Sequence, residues 1–295
     1  MELKFDKTLR RRVRSAFSWF SRLFAAFRPR HTVPVAWVGG RNWGDKLTPF
    51  LTRAYFGKVA YKPVFSFLPR LVVVGSILGS SSAHGVVWGG GFISYDSVPN
   101  GVPKRVCAVR GPLSRDIYLK HNISCPEIYG DPAILISSIA PLVPAKKFRY
   151  GLIPHYIDKH LPWLEQQVVN DPSVLIIDIE GGLLEVAEQV ASCEFIYSSS
   201  LHGLVCADAY NVPNTRIVMS QNIRGGDFKF LDYRLGIGAE PHVPIDVRSG
   251  TFDLASLEAH SSVADVGPAK EALLAAAPYS FINGRRFWGK TGKFS

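Results

Sequence analysis

Residues 193–213, CEFIYSSSLHGLVCADAYNVP, decide how the fold is read, because an apolar strand passes through a polar turn into a helix. Phe195-Ile196-Tyr197 predicts a buried strand, and Leu204 to Tyr210 predicts a helix that Asn211 and Pro213 end. His202 then lies at the amino-terminal end of this helix, where free N–H groups and serine hydroxyls favour an anion. Since histidine exchanges a proton near neutral pH, the stretch predicts either a reactive histidine or one that packs beside a helix-capping serine.

The chain beyond Pro34 repeats this alternation of short apolar strands and helices. Most of the strands end in Gly, Asp or Arg loops, a pattern typical of parallel sheets with functional loops at their carboxyl edge. A proline-rich, basic stretch at 141–149 separates two such sets. We therefore expect an α/β fold in which two Rossmann-like domains face each other across a cleft. Residues 1–30 are predicted to form a helix, and the two domains are expected at 31–145 and 146–250. Residues 251–295 are expected to form a helix and a basic tail that pack back on the body.

The predicted elements follow the apolar runs of the sequence. The strands are expected at Val35–Val38, Leu71–Val74, Val86–Trp88, Val106–Val109, Tyr150–Ile153, Val174–Ile177 and Thr215–Met219, and the helices at Lys46–Phe56, Leu113–His121, Lys159–Val169 and Gly182–Cys193.

Composition limits the class of protein. The 295 residues are 47% hydrophobic, which is enough to bury a large core. The four cysteines show no metal-ligand spacing and lie in or beside apolar runs, which favours buried, reduced thiols of a cytoplasmic protein. The sequence shows no secretory signal, and no apolar run has the roughly 18–20 residues that a membrane-spanning helix needs.

Positive charge is concentrated in residues 1–30, which contain nine basic and two acidic residues, a net +7 of the chain's +10. Apolar residues recur there every three or four positions, so the segment predicts a basic amphipathic helix that lies on an anionic membrane surface. A helix packed on the protein body is the alternative. Nucleic acid is disfavoured because phosphate contacts do not need so many phenylalanines. The apolar residues of this predicted helix are Phe5, Leu9, Val13, Phe17, Phe20, Phe24 and Phe27.

The tail Ile282–Ser295 is also basic and aromatic, and its role is left open.

Candidate binding residues lie in the loops of the first predicted domain. Arg110 follows an apolar strand, so its guanidinium is expected to project from the sheet edge and grip a carboxylate or phosphate, or else to form a surface salt bridge. Asn42 and Asp45 lie at the first strand-to-helix turn, where Asp45 is either functional or a plain N-cap. Gly90, in a run of three glycines, lets the backbone approach a ligand closely.

Three further candidates are Asp131, His155 and Lys229. Asp131 and His155 follow strands of the first and second halves, and Lys229 ends a flexible-looking loop with two glycines, where it could meet a phosphate. The glycine run at 89–91 lacks a GxGxxG pattern and a P-loop lysine, and the sequence contains no HExxH or GxSxG pattern. Dinucleotide and P-loop binding are therefore disfavoured, and metal hydrolysis and serine hydrolysis have no support.

The motifs, taken in order, resemble the polysaccharide pyruvyltransferase family, and most closely the ketal pyruvyltransferases of exopolysaccharide synthesis of the xanthan type. The similarity covers about residues 35–240, and the segment around SLHG is its most specific part. Many members have arginine directly before LHG, where this chain has Ser200. The matching motifs are NWGDKL at 42–47, VVWGGGF at 86–92, AVRGP at 108–112, YGDPAIL at 129–135, IPHY at 153–156 and SSSLHGLVCADAYNVP at 198–213.

The resemblance implies a GT-B-like fold and pyruvyl transfer from phosphoenolpyruvate to a sugar, with closure of a cyclic ketal. His202 would protonate the donor's methylene carbon. The donor's charge would be neutralised by Arg110, Lys229 and the start of the helix at Ser199 and Ser200. Because Ser200 stands where many members have arginine, Arg110 and Lys229 become more important for this task. Gly90 belongs to the same donor-binding set. Asn42, Asp45, Asp131 and His155 would orient acceptor hydroxyls or serve as base. The scheme needs no metal and no cofactor.

The acceptors of such families are oligosaccharides on a polyprenyl diphosphate carrier. The resemblance therefore implies a cytoplasmic protein, peripheral at the inner face of the plasma membrane. Two alternatives stay open at this stage. One is a nucleotide-sugar glycosyltransferase of the same architecture, since fold does not fix chemistry. The other is a non-catalytic polysaccharide assembly factor, which would tolerate loss of His202.

Overall fold

The computed structural model describes residues 31–37, 42–64, 69–81 and 83–279. The basic amphipathic helix expected over 1–30 and the tail 282–295 lie outside the described residues. In the described part of the chain, no helix combines the length and the apolar character needed to cross a bilayer.

The first half of the chain forms a five-stranded parallel sheet with the order β2-β1-β3-β4-β5. Strands β1 and β3 pair Val35 with Leu71, and strands β4 and β5 pair Val86 with Arg105. Parallel pairing requires a crossover between neighbours, which the intervening helices and loops supply. The strands are β1 Thr32–Ala36, β2 Val59–Tyr61, β3 Leu71–Val72, β4 Val86–Trp88 and β5 Arg105–Ala108.

The second half forms a five-stranded parallel sheet with the order β10-β9-β8-β6-β7. Strand β8 lies in the middle and pairs with β6 through Leu152 and Tyr197. The predicted α/β class with parallel sheets is therefore confirmed, although the edge strands β2 and β10 were not predicted. The strands are β6 Phe148–Ile153, β7 Val174–Ile176, β8 Cys193–Ser198, β9 Asn214–Val218 and β10 Ile245–Asp246.

Helices follow most of the strands. Two of the predicted helices begin earlier than expected, at Trp43 and Leu201. The α-helices are α1 Trp43–Phe56, α2 Leu78–Ser81, α3 Pro112–Lys120, α4 Ile136–Ile139, α5 Trp163–Asn170, α6 Leu183–Ala191, α7 Leu201–Ala209, α8 Phe228–Gly236 and α9 Gly267–Ala275, and the 3-10 helices are Pro132–Leu135 and Ala255–His260.

Helix α8 corrects a prediction, because Lys229 belongs to it and not to a flexible loop. The sequence FKFLDYRLG hides this helix, since Lys229, Asp232 and Arg234 are buried together with its aromatic residues. A helix that buries charged residues lacks the polar and apolar alternation on which a sequence prediction depends.

Helix α1 of the first half of the chain packs against the second half. The Trp43 indole donates a hydrogen bond to the carbonyl of Leu183 at 2.8 Å, and its backbone N–H donates to Ile179 at 2.8 Å. Trp43 is 0% exposed and lies in a hydrophobic cluster that contains residues of both sheets. Truncation of such a tryptophan to alanine costs about 3–5 kcal/mol. The division into two separate domains stays a prediction.

The C-terminal segment packs against the body in two separate pieces. In α9, the carbonyl of Leu273 accepts a hydrogen bond from the Trp88 indole at 2.8 Å. Near the second 3-10 helix, the carbonyl of Leu254 accepts one from the Tyr197 hydroxyl at 3.1 Å. These two hydrogen bonds attach the C-terminal segment to β4 of the first sheet and β8 of the second.

Candidate active site

The carboxyl ends of the two sheets meet at a cleft of about 440 Å³. This volume falls in the range of small-molecule sites, roughly 300–1,000 Å³. Loops after β3 and β4 form one wall, and loops after β6 and β9 with the start of α8 form the other. The lining residues are Ser76, Ile77, Gly79, Ser80 and Ile93 on the first wall, and His155, Tyr156, Ile157, Arg224 and Lys229 on the second.

His202 lies beside this cleft without lining it, in the first turn of α7. Its ring lies directly on Gly44 of α1, where an added Cβ would come 2.1 Å from the imidazole Cε1. Its Nε2 is 3.9 Å from Asp131 Oδ2 and has no hydrogen-bond partner among the described residues. The close approach of α1 to α7 therefore depends on glycine at position 44.

Charge and burial set the protonation of this pair. Burial, together with the cations Lys229 and Arg110, lowers the pKa of His202 to about 3. Burial raises the pKa of Asp131 to about 6, against the opposing effects of the Ala133 N–H and Arg110. At pH 7, His202 is therefore neutral, and Asp131 is the group of the pair whose pKa lies nearer to neutrality.

The cleft itself carries unpaired positive charge. Lys229 is 9% exposed, and no carboxylate of the described chain forms a salt bridge with it. Burial and the nearby Arg110 and Arg216 lower the pKa of Lys229 to about 8. Arg224 lines the same cleft and is exposed. Because unpaired charge is costly to bury, this arrangement is suited to binding an anion.

The imidazole of His155, in the wall of the cleft, is neutral at pH 7. Burial and Lys229 lower its pKa to about 4. Its backbone N–H donates to Ser199 Oγ at 2.8 Å, and the Ser199 hydroxyl donates to Asp158 Oδ2 at 3.0 Å. Ser199 is thus occupied by internal hydrogen bonds that hold the loop after β6.

Arg110 differs from its expectation. It is 0% exposed, so the prediction that its guanidinium projects from the sheet edge is wrong. Its Nε donates to Asp232 at 2.9 Å, and its other nitrogens donate to Ser76 Oγ and the Phe92 carbonyl, both at 2.6 Å. The alternative of a surface salt bridge is also wrong, because the pair with Asp232 is fully buried. Arg110 does not line the cleft, but its positive charge lowers the pKa of both His202 and Lys229. Its role in donor binding stays a prediction.

Ser200 and Gly90 have modest structural parts. Ser200 occupies the N-cap position of α7 without a side-chain cap hydrogen bond, and its N–H donates to Ser198 Oγ at 3.0 Å. The carbonyl of Gly90 accepts from the Arg110 N–H at 3.1 Å, and an added Cβ at Gly90 would lie 3.0 Å from Val72. Direct contact of either residue with a donor stays a prediction.

Asn42 is the N-cap of α1, since its side chain accepts from the Gly44 N–H at 3.1 Å. The alternative that Asp45 caps this helix is therefore wrong. Asp45 lies in the first turn, and burial raises its pKa to about 6, an effect that Lys62 opposes. Asn42 fixes the turn that presents Gly44 to His202, and the predicted contacts of both residues with an acceptor remain untested.

Sequence reasoning missed Gly44, Tyr156, Asp158 and Arg224. Gly44 and Tyr156 lie inside the motifs that carried the resemblance, so the sequence contained a signal that could have placed both near the site. Arg224 directly precedes the two glycines of a turn already noted as a loop. Asp158 had no local signal, because its partners Ser199 and Ser220 lie 41 and 62 positions away.

The fold and site define a two-sheet α/β protein with a cleft lined by two cationic side chains and a buried histidine beside it. The sequence model for the polysaccharide pyruvyl transferase family matches residues 9–220. The chain belongs to this family, which confirms the resemblance.

Two curated relatives share this similarity. An uncharacterized protein of Acanthamoeba polyphaga mimivirus is 33% identical over 189 residues, which cover 62% of this chain and 63% of the relative. The succinoglycan biosynthesis protein ExoV of Rhizobium meliloti (strain 1021) is 29% identical over 191 residues, which cover 61% of this chain and 58% of the relative. The chain thus spans about three-fifths of the length of these relatives. No solved structure gives a significant match.

Proposed function

We propose that this protein transfers the pyruvyl group of phosphoenolpyruvate to a sugar of an exopolysaccharide repeat unit and closes a cyclic pyruvate ketal. The observation that carries the proposal is the cationic cleft beside His202, in a chain of the polysaccharide pyruvyl transferase family. Phosphoenolpyruvate carries about three negative charges, one on the carboxylate and up to two on the phosphate. Lys229 and Arg224 line the cleft as cations to which such a donor can bind.

The charge of a bound donor changes the protonation of His202. Burial is the largest cause of the low pKa of His202, about 3, and Lys229 and Arg110 lower it further, so an anion that neutralises these cations raises this pKa. Donor binding thus recruits the proton that the reaction needs, and Asp131 at 3.9 Å favours the imidazolium form. Asp131, with its pKa near 6, is the second candidate for the acid.

The proposed reaction balances without a further reactant. His202 donates a proton to the methylene carbon of phosphoenolpyruvate, and one sugar hydroxyl adds to the neighbouring carbon, returning its proton to the histidine. A second hydroxyl then displaces phosphate, which leaves with that hydroxyl's proton. The products are the ketal carboxylate and hydrogen phosphate. Developing charge on the leaving group is stabilised by Lys229 and Arg224. The residues proposed here require no metal or cofactor.

The acceptor and the location belong to the same proposal. The relative ExoV is named for succinoglycan biosynthesis, which supports an exopolysaccharide acceptor for this chain. The net +7 charge and the phenylalanine spacing of residues 1–30 support association with an anionic membrane. We therefore place the protein at the inner face of the plasma membrane, acting on a polyprenyl-linked oligosaccharide. A two-domain, GT-B-like arrangement is part of this proposal, supported by two parallel sheets whose carboxyl ends share the cleft.

The test incubates the purified protein with phosphoenolpyruvate and a panel of free and polyprenyl-linked oligosaccharides. Phosphate release and the mass of the acceptor are measured together. The proposal expects phosphate release that depends on acceptor, with an acceptor that gains one pyruvate less one water. Release of a nucleoside diphosphate from a nucleotide sugar would instead indicate a glycosyltransferase. The absence of both reactions would indicate an assembly factor.

A further inference from the structure

The cleft has two chemically different parts. Its cations, Lys229 and Arg224, are suited to an anion, but the remainder of the wall includes Tyr156, Ile157 and Ile93. Apolar side chains contribute nothing to the binding of a small, highly charged donor, which prefers water or hydrogen-bond donors. The apolar part therefore indicates a second ligand with an apolar face.

Tyr156 is the most exposed aromatic side chain of the cleft wall, at 43%. Its ring lies against the His155 imidazole, with 4.3 Å between centroids and 35° between planes. His155 is only 7% exposed, so it supports the tyrosine from the protein side. Ile157, at 39% exposed, continues the same apolar surface. A pyranose ring, which has C–H groups on its faces and hydroxyls on its edges, matches an aromatic surface beside polar groups.

The turn that carries Tyr156 is held firmly from both sides. Asp158 Oδ2 accepts from the Ser199 hydroxyl at 3.0 Å, and Asp158 Oδ1 accepts from the Ser220 hydroxyl at 2.5 Å. The backbone N–H of Asp158 donates to the carbonyl of His155 at 2.7 Å, which closes the turn. These bonds connect the ends of β6, β8 and β9. A binding surface held in place before the ligand arrives loses less entropy on binding.

We propose that Tyr156 and Ile157 form the platform on which the acceptor sugar stacks, next to the donor cations. This inference rests on the proposed function, since the sugar must reach the carbon atom of a donor held at Lys229. It assigns acceptor recognition to the turn after β6.

The test compares Tyr156→Ala and Tyr156→Phe with the native protein. The alanine variant is expected to raise the KM for the oligosaccharide acceptor by about tenfold or more, because the stacking surface is lost. The phenylalanine variant keeps the ring and is expected to stay within about twofold of native, a difference of a few tenths of a kcal/mol. Phosphoenolpyruvate affinity, measured by calorimetric titration, is expected to be unchanged in both. Phe252→Ala, an aromatic truncation away from the cleft, is the matched control.

Two results would overturn the platform. One is an unchanged acceptor KM in Tyr156→Ala, and the other is an equal loss of donor and acceptor affinity. Failure of the proposed function is a different result, namely no binding of phosphoenolpyruvate by the native protein. Direct titration of glucose, galactose and mannose oligosaccharides distinguishes failure of the platform from failure of the proposed function. The platform requires that Tyr156→Ala weaken glycan binding even without the donor.

Discussion

Two pockets of similar size flank the second sheet, and they differ in charge. The cleft, at about 440 Å³, includes Arg224 and Lys229 and no carboxylate among its lining residues. The second pocket, at about 480 Å³, includes Asp171 and Asp253 and no lysine, arginine or histidine. It lies near the amino ends of β6 and β7, beside α5. Volume alone therefore does not single out the site, whereas the sign of the charge does.

The difference follows from the architecture. At the carboxyl ends of parallel strands, loops from several strands converge and helix amino termini point toward the ligand. The second pocket lies at the opposite edge of the sheet, between α5 and residues 250–255. The second pocket instead has carboxylates that accept backbone hydrogen bonds, as Asp253 does from Ala255 at 3.0 Å. Its charges are occupied in holding turns, but the charge of Lys229 has no carboxylate partner in the described chain.

The largest expected effect belongs to His202. Replacement by asparagine removes the titrating group, so kcat is expected to fall by about 10²–10⁴, the usual range for a general acid. Affinity for phosphoenolpyruvate is expected to change little, which calorimetric titration checks. The matched variant Asp131→Asn tests the second candidate for the acid. Full activity in His202→Asn with a large loss in Asp131→Asn would transfer the role to Asp131.

Gly44→Ala tests the packing beside His202. The added methyl group would overlap the imidazole, 2.1 Å from Cε1, so the ring or helix α1 must move. We expect kcat to fall at least tenfold and unfolding stability to drop by about 1–3 kcal/mol, as overpacked sites do. Steady-state kinetics and thermal denaturation measure the two effects. Native kinetics in Gly44→Ala would contradict the assignment.

Lys229→Met removes the unpaired charge of the cleft at similar side-chain length. The KM for phosphoenolpyruvate is expected to rise by about 10–100-fold, because a charge-assisted hydrogen bond contributes about 1.5–3 kcal/mol. Asp253→Asn removes a charge from the second pocket and is expected to leave this KM within about twofold, since it lies outside the donor site. Equal effects of the two variants would remove the distinction between the pockets.

The pH profile sharpens the same comparison. The pKa of Lys229 is lowered to about 8, so raising the pH through this value neutralises the amine and weakens donor binding. The quantity kcat/KM for phosphoenolpyruvate is expected to fall up to tenfold per pH unit above about 8. Lys229→Arg stays charged throughout, so it should lose this alkaline decline. A decline that persists in Lys229→Arg would assign it to another group.

Local pattern was sufficient for most of the fold. Apolar runs identified Val86–Trp88 as β4 without error, and the segment around His202 as strand, turn and helix. The start of α1 was placed three residues late, because Asn42 was not recognised as its cap. Helix ends depend on such single hydrogen bonds, which periodicity does not report.

The site was harder to predict, because long-range partners decide it. Arg110 was expected to project from the sheet edge and bind a carboxylate or phosphate, or else to form a surface salt bridge. Its carboxylate partner, Asp232, lies 122 positions away in a helix that the sequence did not predict. The pKa of His202 depends on burial and on Lys229, which also come from the tertiary fold. Residue types and strand-end positions were readable from the sequence, whereas their pairing and burial required the structure.

The most direct test of the account is proton uptake on donor binding. Phosphoenolpyruvate is titrated into the native protein and into His202→Asn at pH 7, by calorimetry in two buffers of different ionisation enthalpy. We predict that the native protein takes up more protons than the variant, because the bound anion raises the pKa of His202 by neutralising Lys229 and Arg110. Equal uptake in both proteins, or no binding of phosphoenolpyruvate to either, would contradict it.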